Sequence, residues 1–319
     1  MTEGPKDHHE EYVTFVAKDE QAAAEIATDA LFMQWVVLGR FEKARHELIE
    51  MFPSNVEGLN MERVDGYLAG LDLRPVDVIV VGRDRISEIN AAVEQLGIEG
   101  RDDNGGIYFV ELDLAIVFRD PQLEAQNGPE ITESYIVHER AHGSSSFRRI
   151  HAEVTGTVMS ARAHRLGFVH RVKADDPAYG AFLEEGFAES IRAGYVAKVL
   201  GRPQGFADWQ KPIVTVTTPE DLQVTLPPVM LSRGRDGGSS VVEASYAGAA
   251  LLLLQKRIPE LETAFLEARR TEEGIAKVER LLNELRPGLY DTFCTDFTNE
   301  KDFIHGLKYV IDLLGDNPS

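Results

Sequence analysis

Five consecutive residues, His138-Glu139-Arg140-Ala141-His142, carry the clearest chemistry in this chain. On a helix, residues four apart sit one turn apart on the same face. Two imidazoles so placed can share one tetrahedral Zn2+, and the glutamate between them can act as general base toward a water at the metal. The spacing therefore predicts a zinc site with His138 and His142 as ligands and Glu139 as a catalytic residue.

The surrounding residues must build that helix. Ile131 to Ala141 is helix-compatible, Pro129 precedes it, Glu130 and Glu133 fall in its first turn, and Gly143 marks its stop. Tyr135, Ile136 and Val137 supply an apolar stretch that could bury it. A third ligand has to come from another element. Asp176 to Gly201 reads as a second helix, with Asp176 as N-cap, Pro177 at its first position, and Gly201 and Pro203 at its end. Tyr179, Phe182, Leu183, Phe187, Ile191 and Tyr195 recur at three- and four-residue steps and give it one apolar face. Glu185 and Glu189 lie four apart on it, and Gly186 permits close approach to the first helix. Helical glutamates are mostly solvated, but beside a histidine pair Glu185 is the candidate third ligand.

His138-Glu139-x-x-His142 followed by Leu183-Glu184-Glu185-Gly186-Phe187-Ala188-Glu189 resembles the gluzincin branch of zinc metallopeptidases. In that branch a glutamate in a Glu-Gly-Phe-Ala-like segment is the third zinc ligand, and the residue matching it is Glu185. The stretch between His142 and Glu185 is longer than in the aminopeptidase gluzincins. That length and the Glu-x-x-Ala-Glu pattern are nearer to the catalytic domain of anthrax lethal factor. Ser245-Tyr246-Ala247-Gly248-Ala249 is similar to the Tyr-x-x-Gly-Ala segment of the aminopeptidases, with one residue fewer between tyrosine and glycine. The resemblance implies that Tyr246 donates to the oxyanion, a role worth about 3 kcal/mol in comparable sites. Tyr179, upstream of Glu185, is the rival donor, as lethal factor has a functional tyrosine just before its glutamate ligand. Glu189 is the best partner to orient a ligand histidine by accepting its other N–H. If Glu185 points away from the metal, Glu189 becomes the ligand.

The resemblance spans about residues 76 to 255 and implies an α+β, zincin-like, two-lobed metallopeptidase. Its upper lobe would hold a small mixed sheet and the active-site helix, and its lower lobe would be mainly helical. The implied function is zinc-dependent peptide-bond hydrolysis through a metal-activated water, on a peptide or protein substrate. The Gly-x-Met-Glu-Asn segment that captures a substrate amino terminus in the aminopeptidases does not precede His138; the nearest stretch, Asn104-Gly105-Gly106-Ile107, lacks the acidic group. This favours an endopeptidase over an aminopeptidase. The alternative is a catalytically inactive zincin-fold protein serving as a zinc-stabilised binding module.

Other patterns fit worse. A metzincin would carry glycine and histidine where Ser145 and Arg148 stand. His151, His164 and His170 could each ligate, but none sits at a recognised spacing. There is no phosphate loop or dinucleotide fingerprint. The single cysteine, Cys294, excludes an intramolecular disulfide framework and a cysteine zinc cluster.

A net charge of −20 disfavours nucleic acid and anionic membranes as partners. Met1 to Glu11 has no apolar core, which argues against a secretory signal, and the longest apolar run, Ala247 to Leu254, is too short to span a bilayer. The expectation is a cytoplasmic protein. Residues 1 to about 17 read as a loose leader, 18–52 and 58–71 as helical, 76–81 as a buried strand, 86–96 as a helix, and 107–110 and 112–118 as strands. The resemblance places a substrate-pairing edge within 107–118. Val154 to Val158 and Phe168 to Val172 could pair as a hairpin, and Arg148, Arg149, Arg162, Arg165 and Arg171 make that insert basic, a solvated face or a contact for an acidic substrate. Residues 202–240 read as a loop-rich wall with a strand pair around 213–217 and 222–226, and 241–314 as helical. The expected divisions are 1–70, a helical amino-terminal region; 71–201, the upper lobe with the metal site; and 202–319, the wall and lower lobe.

Overall fold

The computed structural model describes residues 13–315, apart from 29, 99, 101–104, 156–157, 171–176, 203–214, 218–222, 226–230, 234–238, 242–243 and 300–301. Val13–Ala17 forms β1, followed by helices α1 (Glu20–Thr28), α2 (Ala30–Met51) and α3 (Met61–Gly70). A sheet is then built from β2 (Asp77–Gly82), β3 (Gly106–Phe109) and β4 (Leu114–Arg119), with α4 (Ile86–Glu94) crossing between β2 and β3. The strand order is β2-β4-β3, with β2 parallel and β3 antiparallel to β4. The central strand β4 is a continuous apolar run, as a strand covered on both faces requires. Its side chains alternate. Val117 and Val80 join a cluster on one face, while Ile116, Phe118, Ile79 and Val81 join Val37, Phe41, Ile89 and Val93 on the other.

On the Val117 face lies α6 (Glu130–Gly143), preceded by α5 (Pro121–Asn127). Asp120 caps α5 by accepting from Gln122 N and Leu123 N, with Pro121 in the first turn. Helix α6 packs against α7 (Ala181–Gly194), and α7 against α8 (Ala244–Arg257). Then come α9 (Glu260–Ala268), α10 (Glu272–Leu285), α11 (Leu289–Thr295) and α12 (Phe303–Gly315), the last resting on α8. Helix α6 is thus held between sheet and helices, and Ile131, Tyr135, Ile136, Val137 and Ala141 are all buried. Each large apolar side chain so buried contributes about 1.5–3 kcal/mol. The polar Glu133 is buried as well. It is satisfied by Asn60 N, the Arg63 guanidinium and the Tyr195 hydroxyl. The framework is therefore mixed α/β with small sheets and a predominantly helical C-terminal part, and among the described residues no helix is long and apolar enough to cross a membrane.

Several expectations need correction. The leader does not extend to residue 17. Val13-Thr14-Phe15-Val16-Ala17 is β-rich, and it pairs in parallel with β5 (Arg148–Thr155). The expected hairpin is shifted. Arg148–Thr155 pairs with β6 (Val158–Leu166), so Val154 and Thr155 belong to one strand and Val158 to the next. Of the expected Phe168 to Val172 segment, Val169–His170 forms β7 and pairs with β6, while residues 171 and 172 lie outside the described residues. The second helix starts at Ala181 rather than at Pro177, and Asp176 lies outside the described residues. Tyr179 is drawn into extended pairing with His170, and Gly180, at φ 78°, makes the turn into α7. A π-helical turn, Tyr195–Val199, ends that helical stretch. In the 202–240 passage β8 (Thr215–Thr217) pairs with β9 (Gln223–Thr225) as expected, and β10 (Leu231–Arg233) pairs with β11 (Ser239–Val241) in addition.

One ion cluster ties the sheet to the end of α6. Asp113 has φ 51° in the β3–β4 turn, a conformation an aspartate tolerates. It accepts two hydrogen bonds from Arg74, at 2.8 and 2.6 Å, one from Tyr108 at 2.6 Å, and pairs with Arg148. Arg74 also donates to the Gly143 carbonyl at the end of α6. Burial opposes the Asp113 charge, but Arg74 and Arg148 outweigh it and hold the carboxyl well below the usual range. A depressed native pKa gives stability that is present above about pH 4 and is lost as pH falls through the acid range. Asp113→Asn is expected to lower stability at pH 7 by about 2–3 kcal/mol, the cost of unpairing a largely buried cluster. Urea unfolding at pH 7 and pH 3 checks this: the gap to wild type should shrink at the lower pH, and a pH-independent gap would contradict it.

Candidate metal centre

Helix α6 places His138 and His142 one turn apart with both Nε2 atoms facing α7, because the 3.6-residue period superimposes positions four apart. The two Nε2 atoms stand 3.2 Å apart. From α7, Glu185 Oε2 reaches 3.5 Å from His138 Nε2 and 3.4 Å from His142 Nε2. These three residues form a group able to hold a metal ion. Donors bound to zinc at about 2.0–2.1 Å in a tetrahedral site stand about 3.3 Å from one another. The observed triangle therefore has the spacing of three donors that would hold such a metal. Glu185, not Glu189, is the third member of this group.

The far nitrogens of the two rings also meet carboxylates. His142 Nδ1 lies 3.2 Å from Glu184 Oε1, within hydrogen-bonding geometry. His138 Nδ1 lies 3.2 Å from Glu189 Oε2, as a carboxylate partner to a ligand histidine should, but too bent for a hydrogen bond. Each carboxylate is anchored by a fully buried arginine. Arg269 donates to Glu184 Oε2 at 2.6 Å, and Arg192 donates to Glu189 Oε2 at 2.7 Å.

This field is built for positive charge. Burial disfavours protonation of both rings, yet Glu185 and Glu189 lift His138 to about 9, and Glu185 and Glu184 lift His142 well above its ordinary value. Burial likewise opposes ionisation of Glu185, but His142 and His138 hold its carboxyl far below the usual range. Arg269 does the same for Glu184 and Arg192 for Glu189, again against burial. A divalent cation held by His138, His142 and Glu185 would answer the same field, and its binding would be coupled to proton release.

Glu139 is buried and lies against β3. A Cβ added to Gly106 would stand 2.7 Å from Glu139 Cγ, so the absent side chain makes the space the glutamate occupies. Among the described residues β3 pairs with β4 alone, so the edge position expected within 107–118 falls on Gly106–Phe109. Tyr246 lies half-buried in the first turn of α8. That turn touches the site through its neighbours. Ser245 Oγ donates to Glu189 Oε1 at 3.2 Å, and Gly248 lies so close to Glu189 that a Cβ would stand 2.3 Å from its Cγ. Tyr179 is held instead by β7, its ring stacked on that of His170 with centroids 5.5 Å apart.

Among the described residues, His151 and His170 are not in the metal group, and the side chain of His164 lies outside them. His151 Nδ1 lies 3.0 Å from Thr14 Oγ1 on β1. Arg148 is engaged by Asp113 and Tyr108, which removes it from the basic surface expected there. Cys294 is buried, and burial pushes its thiol up to about 11, as suits an idle core group. Three residues of the centre were not legible in the sequence. Glu184 could have been suspected from its place beside Glu185, since two ligand histidines need two partners. Arg192 and Arg269 carry no such signal. No family model, curated protein or solved structure matches the chain.

Proposed function

We propose that this chain is a zinc-dependent peptidase of the gluzincin type, on a two-lobed zincin-like scaffold, cutting within peptide chains. The observation that carries the reading is the triangle of His138 Nε2, His142 Nε2 and Glu185 Oε2, with edges of 3.2–3.5 Å. A His2Glu donor set with an open fourth position is typical of catalytic rather than structural zinc, and Glu139 stands beside it in the helix.

When bound, zinc would acidify a water and polarise a substrate carbonyl. The protein's own groups do the rest. Glu184 and Glu189 orient the two imidazoles. A carboxylate oxygen of Glu139 takes the attacking water's proton and delivers it to the leaving amine. The Tyr246 hydroxyl donates to the developing oxyanion, with Tyr179 as the alternative donor. An extended peptide laid along β3 would pass Glu139 at Gly106, where no side chain intervenes.

Elemental analysis of untagged protein purified without chelators should find one zinc per chain. A peptide-library digest should show internal cleavage that a strong chelator abolishes and added zinc restores. Protein that binds no zinc even after reloading would overturn the reading. A second reading, a zinc-stabilised binding module, draws on the deep burial of His138, His142 and Glu139. It would be favoured by zinc that raises the Tm while every peptide in the library stays intact.

A further inference from the structure

We propose that Arg269 is the positioning residue of the metal centre, acting on His142 through Glu184. The inference rests on the reading of His138, His142 and Glu185 as a metal site and adds a residue from a distant element. Arg269 follows α9 and is fully buried. Its Nη1 donates to Glu184 Oε2 at 2.6 Å, and Glu184 Oε1 faces His142 Nδ1 at 3.2 Å. Its Nη2 donates to two carbonyls at the end of α6, Ala141 O at 3.0 Å and His142 O at 2.6 Å. One guanidinium therefore holds both the backbone of a ligand histidine and the carboxylate that fixes the ring's far nitrogen. A planar fork can bridge these acceptors at once, and a lysine ammonium on a flexible stem cannot fix them in one geometry.

The surroundings leave this arrangement little freedom. The guanidinium lies over the Phe187 ring, 4.6 Å from its centroid. Phe168 N donates to Glu184 Oε2 at 3.1 Å. Gly167 has φ 57°, and a Cβ there would stand 2.2 Å from Glu184 Oε2 and 2.3 Å from Arg269 Nη1. Only glycine fits at that position, both for the backbone and for the ion pair. The β6–β7 turn, α6, α7 and the residue after α9 thus converge on one pair. The Arg192–Glu189 pair faces the other histidine differently. It arises within α7 alone, and its contact with His138 Nδ1 is not an aligned hydrogen bond. Arg269 is therefore the side chain that ties the residues after α9 to the His142 side of the centre, while Ser245 of α8 reaches only Glu189 on the His138 side.

The test compares zinc affinity, by chelator competition, and the visible spectrum of the cobalt-loaded protein across wild type, Arg269→Lys, Arg269→Met and Glu184→Gln. Thr271→Ala serves as a control, because it removes the N-cap of α10 beside the site without touching the centre. Zinc affinity should fall about 10–100-fold in Arg269→Met and Glu184→Gln, the usual cost of losing such a partner. The cobalt bands should shift, and Arg269→Lys should not restore them. Thr271→Ala should lower the Tm and leave affinity and spectrum unchanged. Glu184→Gln keeps the shape of the side chain and decides the matter if Arg269→Met does not fold. Wild-type affinity and spectrum in folded variants would overturn the positioning role while leaving the metal site standing. A wild-type protein that binds neither metal would instead overturn the site itself.

Discussion

Glu139→Gln is expected to bind zinc as tightly as the wild type and to hydrolyse peptides about 10²–10⁴-fold more slowly, the range contributed by a positioned general base. The metal should stay because Glu139 is not part of the donor triangle of His138, His142 and Glu185. The fold should stay because glutamine is close to isosteric where the side chain fills the space beside Gly106. The rate should fall because an amide cannot accept the proton of the attacking water. Zinc content and turnover measured on the same preparation check this. Full activity in a zinc-loaded variant would rule out Glu139 as the base, and loss of both zinc and activity would place it among the ligands.

Removing a ligand should act on the metal first. A four-ligand zinc site binds with about 10–16 kcal/mol, so each donor is worth about 3–4 kcal/mol, or about 10²–10³-fold in Kd. His138→Ala and Glu185→Gln are each expected to weaken zinc by that amount and to abolish turnover at limiting metal. Glu189→Gln should weaken it less, because Glu189 faces His138 Nδ1 from the side away from the Nε2 atoms. Glu185→Gln also removes the carboxylate that draws both imidazoles upward, so ring protonation should compete less with the metal. Calorimetric titration with zinc reads the affinities directly. Equal losses for Glu185→Gln and Glu189→Gln would mean that the two glutamates share the metal.

The ligand pair and the elements that carry it follow from local rules. His138 and His142 share a face because the helical period is fixed, and α6 forms where Pro129, Glu130 and Gly143 punctuate the chain. The apolar runs of β2 and β4 mark buried strands for the same reason. Local rules failed where a distant partner claimed the backbone. Val13–Ala17 became a strand because β5 lay ready to pair with it, and Tyr179 left the helix because His170 took its N–H and carbonyl.

Spacing alone could not choose among Glu184, Glu185 and Glu189, and only the family resemblance favoured Glu185. All three stand within two turns of one helix, and only the packing of α7 on α6 aims Glu185 at both Nε2 atoms, Glu189 at His138 Nδ1 and Glu184 at His142 Nδ1. Arg269 lies still further from local inference, being more than a hundred residues from the histidine whose ring and carbonyl it fixes. By itself the sequence determined which residue types could bind a cation and on what spacing, because helix geometry is written in each short segment. The tertiary structure alone decided which carboxylate faces the two Nε2 atoms and which arginine anchors the carboxylate behind His142, because those contacts depend on how separate elements are pressed together around a shared core.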